Sequence, residues 1–204
     1  MTKPKRSPAE LHATAIHEAG HAVIGRILNF RCGKTSIRLQ GKTSGYSIIP
    51  DPCQATDDWE KRWGKFHRDE DRALRARIMI QMAGRAAEEE CLGECPGGDD
   101  DDQYRIAGMI VDLGVGPKSG EALQHRLRRM TAQLVRRHRQ KIETLARALI
   151  EQPTMTDRQI RSAIEMAPVP RRRRVPPLPI VTREVTSEMI EEAREAVRRA
   201  LGRG

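Results

Sequence analysis

The stretch "TAIHEAGHAVIGRILN", residues 14–29, decides how the chain is read. Its apolar residues, continuing the set begun at Leu11, are Ala15, Ile16, Ala19, Val23, Ile24, Ile27 and Leu28. They recur at the spacing of one helical face, so the stretch predicts a strongly apolar helix. Ser7 followed by Pro8 marks its start, as a cap and a first helical residue. Residues four apart share a helix face, so His17 and His21 can hold one metal ion between them. Glu18 sits one step round, within reach as a general base. This is the H-E-x-x-H arrangement of zinc-dependent hydrolysis. The alternative is a histidine pair on a helix flank beside a solvated glutamate. The strongly apolar setting argues against it, because ionisable groups there need a reason to be placed. Gly20 argues the same way: it weakens a helix by ~1 kcal/mol relative to alanine, which suggests close backbone packing.

A catalytic zinc takes three protein ligands and leaves a fourth position open. The extended H-E-x-x-H-x-x-G-x-x-H pattern would need glycine at 24 and histidine at 27, and the chain has Ile24 and Ile27. The third ligand therefore comes from further along. His12, His67, His125 and His138 lie in charged surroundings and read as surface residues. The run Asp99 to Asp102 is the stronger source. Four carboxylates at a helix start repel one another, which a helix dipole relieves in part and a cation relieves further.

Composition sets the class. The chain has 204 residues, 38% of them hydrophobic and only 3% aromatic, so its core draws on Ala, Leu, Ile, Val and Met. That favours helices over a sheet sandwich. A net charge of +9 fits either an Arg-rich surface or a contact with nucleic acid or anionic membrane. The scarcity of aromatics weakens a base-stacking role. Cys32, Cys53, Cys91 and Cys95 are too few and too irregular for a disulfide framework and read as free, buried thiols. No signal peptide and no apolar run of membrane-spanning length is evident. A soluble, cytoplasmic protein is expected.

Four regions follow along the chain. Residues 1–8 form a flexible basic lead-in, and 9–166 form the globular domain. Residues 167–186, with "PVPRRRRVPPLPI", form a Pro/Arg-rich linker, and 187–204 a terminal amphipathic helix. Within the domain, two short strands are expected near 35–39 and 45–49, ended by Pro50 and Pro52. Helices are expected over 69–92, ended by Gly93, then over about 103–113 and 118–150, with a short one restarting at Thr156-Asp157. Residues 53–68 read as polar and irregular, with Trp59 and Trp63 at helical spacing.

Several segments in one order resemble the peptidase domain of the FtsH-type zinc metalloproteases, membrane-anchored ATP-dependent enzymes. "TAIHEAGHAVIGRIL" is similar to their zinc helix, and "GKTSGYSIIPD" to their Gly-Tyr strand. "IMIQMAGRAAEEECLGE" resembles their Gly-Arg-Ala-Ala-Glu-Glu helix. "DDDDQYRIAGMI" stands where their third ligand begins a helix, and "LARALIEQPTMTDRQI" is similar to their closing helices. The likeness covers roughly residues 9–166 and implies a mainly α, zincin-like fold: a helical bundle with a small β element.

By position, the resemblance makes His17 and His21 the histidine ligands, Glu18 the catalytic base and Asp102 the third ligand of one Zn2+ per chain. Asp101 and Asp99 remain open as alternatives to Asp102. It makes Gly45, Tyr46 and Ser47 part of an edge strand that receives substrate as an added strand. Gly84, Arg85 and Glu88 to Glu90 read as helix packing and salt bridges.

The sequence contains no G-x-x-x-x-G-K-[ST] phosphate loop and hence no ATP site. The expected function is a stand-alone, ATP-independent zinc metalloendopeptidase acting on unfolded or flexible polypeptides. The alternative is a zinc-retaining, peptidase-like binding or regulatory module without independent proteolysis. Homo-oligomerisation is left open. A contact between the basic tail around Arg171 to Arg174 and nucleic acid or an anionic surface is the weakest of these expectations.

Overall fold

The computed structural model describes residues 6–39, 45–49, 70–95 and 100–167. The expected lead-in, the 53–68 segment with its tryptophans, Cys53, Asp99, and the linker and terminal helix beyond 167 lie outside the described residues, apart from Arg6 to Pro8 and Ala167.

Five helices and three short strands make up the described residues. Helix α1 spans Pro8–Ile27 and opens as the sequence predicts. The Ser7 hydroxyl accepts from the Glu10 amide at 3.2 Å, and the Glu10 carboxylate accepts from the Ser7 amide at 2.7 Å. This reciprocal box satisfies two amides that the helix leaves unpaired. From Ala15 to Gly25 nearly every residue is buried, so α1 is the central helix.

Two long helices enclose α1: α2, Glu70–Leu92, and α4, Pro117–Glu151. Between them α3, Asp100–Asp112, packs Ile106 and Met109 against Ile78, Met79 and Met82 of α2. Gly93, with φ +79°, lets the chain leave α2 in the left-handed conformation. Helix α4 kinks at His138, whose φ of −110° and ψ of 15° are not helical. The main core joins Ile16, Val23 and Ile24 of α1 to Ala83 and Ala87 of α2 and to Val135, Ile142, Leu145 and Leu149 of α4.

The helices close in because small residues meet where they cross. A Cβ on Gly20 would lie 2.6 Å from the Ala83 carbonyl oxygen and 2.8 Å from the Ala87 Cβ. The expectation of close backbone packing at Gly20 is met.

The sheet is antiparallel, in the order β2-β1-β3, with β1 at Lys34–Ser36, β2 at Tyr46–Ile48 and β3 at Thr154–Thr156. Both expected strands form, each shorter than expected. Strand β3 is an addition to the sequence reading, and α5, Asp157–Glu165, follows it directly under a second capping box. Strand β2 pairs with β1 alone, so among the described residues its other edge is open. The fold is mainly α with a small sheet, as expected. Among the described residues no helix is long and apolar enough to cross a membrane.

Candidate metal centre

Three side chains from two helices converge beside the α1–α2 crossing. His17 and His21 come from one face of α1, and Asp102 from the first turn of α3. The two histidine Nε2 atoms are 3.0 Å apart, and each is 3.1 Å from Asp102 Oδ2. Asp100 and Asp101, on the same turn, are exposed. Of the described aspartates in this run, the structure brings only Asp102 to the histidines.

The outer nitrogens fix how the rings are protonated. His21 Nδ1 lies 2.7 Å from the Ile80 carbonyl oxygen, which can only accept, so Nδ1 carries the hydrogen. His17 Nδ1 lies 3.3 Å from Glu88 Oε1 and donates to that carboxylate. In the neutral rings both Nε2 lone pairs therefore point at Asp102. Two lone pairs and a carboxylate oxygen in mutual contact repel unless a positive charge sits among them. Three zinc ligands at ~2.0–2.1 Å in tetrahedral array stand about 3.3–3.4 Å apart, close to the spacing seen here. Outer partners that lock ring orientation are the usual company of metal-ligating histidines. The donor set fits a zinc ion.

Without metal, a proton can take that place. Burial pulls the His17 imidazole down, but its contacts with Asp102 and Glu88 outweigh burial and hold it up at about 10. Burial likewise pushes Asp102 up, yet the two histidines hold its carboxyl well below the usual carboxylate range.

Glu88 reads from sequence as helix packing and salt bridges, and the structure pairs it with His17 of the site. It is 3% exposed, bonded to His17 on one side, and accepts from the Cys95 thiol at 3.0 Å on the other. Glu89 and Glu90 do form helix-surface ion pairs, with Arg85, and with Arg136 and Arg139. The signal for Glu88 was its spacing. It lies one turn from Gly84, on the face of α2 that meets α1. Gly84 itself has no room for a side chain, because a Cβ there would lie 2.5 Å from His17 Nε2 and 2.6 Å from His21 Nε2.

Glu18 is buried on the neighbouring face of α1, and burial raises its carboxyl against the pull of the two histidines. The edge strand meets it directly. The Ser47 hydroxyl donates to Glu18 Oε2 at 2.7 Å, and Gly45 packs against the same carboxylate. Tyr46 points to the other face of β2, with Lys34 Nζ 5.9 Å from its ring centre. The predicted site residues thus lie on α1, α3 and β2, with Gly45 just before β2. His12 and His125 are exposed and His138 half-buried, away from the cluster. Cys32 is buried, and Cys91 and Cys95 are half-buried.

Comparison with known proteins matches the chain to peptidase family M41 over residues 5–126. An ATP-dependent zinc metalloprotease FtsH of Acidothermus cellulolyticus is 26% identical over 187 residues, covering 72% of this chain and 27% of that protein. FtsH 1 of Symbiobacterium thermophilum is 27% identical, covering 80% of this chain and 30% of its own length. FtsH 3 of Sorangium cellulosum is 31% identical over 175 residues, covering 72% and 27%. The chain thus spans less than a third of the length of these relatives.

Proposed function

The chain belongs to peptidase family M41, and on that premise we propose that it is a zinc metalloendopeptidase cleaving unfolded or flexible polypeptides without ATP. The observation that carries this reading is the convergence of His17 Nε2, His21 Nε2 and Asp102 Oδ2 within 3.1 Å, beside a buried glutamate. A bound zinc ion supplies Lewis acidity, making a water molecule more acidic and polarising the scissile carbonyl.

This chain's residues do the rest. Glu18 accepts a proton from the attacking water and returns it to the leaving amine. Its raised carboxyl suits both steps. Glu88 and the Ile80 carbonyl hold the rings so that both Nε2 atoms face inward. The edge of β2 that is open among the described residues, at Tyr46 and Ser47 with Gly45 just before them, receives the substrate as an added strand, where main-chain pairing gives affinity with little sequence preference. Among these 204 residues there is no phosphate-loop motif, which favours substrates already unfolded. Among the described residues Cys32 and Cys91 are free thiols, which favours a reducing compartment, the cytoplasm.

The test is zinc content and cleavage of an unfolded protein such as casein, without ATP, for the wild type and Glu18→Gln. The expected result is one zinc per chain in both, with cleavage in the wild type alone. Zinc without cleavage in the wild type would replace this reading with a binding or regulatory module. Full activity in the variant would remove Glu18 from the chemistry.

A further inference from the structure

The wall of the site beside Glu18 is built by β2, and it reaches the base through a chain of hydroxyls. Ser47 Oγ lies 2.7 Å from Glu18 Oε2 and 3.2 Å from both the Glu18 carbonyl oxygen and Thr35 Oγ1. An ionised carboxylate only accepts, so the single Ser47 proton goes to Glu18. Thr35, fully buried and paired directly across from Ser47 in the sheet, then donates to the Ser47 oxygen. The Cys32 thiol, 3.2 Å away, donates to Thr35. Each donor in the relay points toward the base, and such chains polarise in one sense.

A second observation is steric. Gly45 lies two residues before Ser47, on the same face of the strand. A Cβ there would stand 2.8 Å from Glu18 Oε1, 2.9 Å from its Cγ and 3.0 Å from the Ser36 carbonyl oxygen. One carboxylate oxygen is thus held by a hydrogen bond from Ser47. The other occupies space that only glycine leaves, and it receives no hydrogen bond from the described residues.

We propose that Ser47 is a positioning residue for Glu18, and that a substrate strand paired along β2 holds Ser47 in register with the base. The proposal rests on the peptidase reading above. Strand β2 has three residues and, among the described residues, one neighbour, which is marginal by itself. A peptide added to its open edge stiffens it and thereby fixes the hydroxyl that aims the carboxylate. Binding energy gained along the strand is then expressed in the transition state. Longer extended substrates turn over faster once bound, and do not merely bind more tightly.

The experiment measures kcat and KM for wild type, Ser47→Ala and Ser47→Thr on peptides of increasing length around one scissile bond. Zinc content is recorded for each protein. In parallel, hydrogen exchange of residues 46–48 is followed in Glu18→Gln as an uncleaved peptide is added. The wild type should show kcat rising with length, and the added peptide should slow exchange in 46–48. Ser47→Ala should keep its zinc and its KM, lose about 10- to 100-fold in kcat, as expected for a hydrogen bond to a charged group, and lose the length dependence of kcat. Ser47→Thr, which keeps the hydroxyl, should recover most of the rate.

A Ser47→Ala kcat within twofold of wild type would overturn the proposal, as would a threonine variant no better than alanine. Unchanged exchange in 46–48 would remove the strand coupling. A wild type that protects 46–48 but cleaves nothing would instead overturn the peptidase reading, and with it any role of Ser47 in turnover.

Discussion

Replacing Gly84 with alanine puts a methyl group where the two histidine rings meet. Its carbon would lie 2.5 Å from His17 Nε2, 2.6 Å from His17 Cε1 and 2.6 Å from His21 Nε2. Non-bonded carbon and nitrogen settle near ~3.5 Å, so something must recede by about 1 Å. The rings have little slack. His21 is tied to Ile80 and His17 to Glu88, and both partners lie on α2 with Gly84 itself. Withdrawing α2 stretches those bonds, and turning the rings spoils the donor triangle. Metal–ligand distances tolerate only about 0.2 Å.

We expect zinc affinity to fall by about 10- to 100-fold, the size seen when groups that orient a ligand are lost. That is roughly 1.4–2.7 kcal/mol. Helix propensity runs the other way, since alanine favours a helix over glycine by up to ~1 kcal/mol. The metal-free protein should therefore melt close to wild type, while the stabilisation that zinc adds shrinks. Competition against a chelator of known affinity, with thermal unfolding in the presence and absence of zinc, separates the two effects. Zinc affinity within twofold of wild type would refute the reasoning, because the rings would not be pressed against Gly84.

Asp102→Asn should weaken zinc binding at least roughly tenfold, whereas Asp101→Asn should not; the reverse in a chelator competition would move the ligand to Asp101. Glu88→Gln should retain zinc but bind it about 10- to 100-fold more weakly, and unchanged affinity would make its contact with His17 incidental. Ile142→Ala empties a fully buried position and should lose about 2–5 kcal/mol in urea unfolding, so a loss under 1 kcal/mol would contradict the packing of α4. Arg26→Ala removes a 2.6 Å bond to Asp157 that ties α1 to α5. Both partners are about a quarter exposed, and the expected loss is only about 0.5–1 kcal/mol, absent when Asp157 is already alanine.

Local features carried much of this in the sequence. The α1 helix announced itself through Ser7, Pro8 and its apolar spacing, because capping and periodicity are short-range effects. The relation of His17, Glu18 and His21 follows from helix geometry alone. So does the end of α2 at Gly93, where φ is positive. Strand β3 was not legible. It has three residues, too few to show alternation, and it forms only because β1 pairs with it, with Ser36 and Thr154 separated by 118 positions.

The choice among aspartates was equally beyond local reading. Successive residues on a helix differ by about 100° in direction, and how α3 is rotated depends on Ile106 and Met109 finding α2. Among Glu88, Glu89 and Glu90, identical in chemistry, only the crossing of α1 and α2 determines which one is buried against His17.

The sequence by itself determined the donor types, the face of α1 they share and the base beside them, because these follow from residue identity and one helical repeat. Only the tertiary structure decided which aspartate closes the triangle, which glutamate backs His17, and that Ser47 reaches Glu18. Those choices depend on the rotation and approach of elements far apart in the chain, and that is set by core packing.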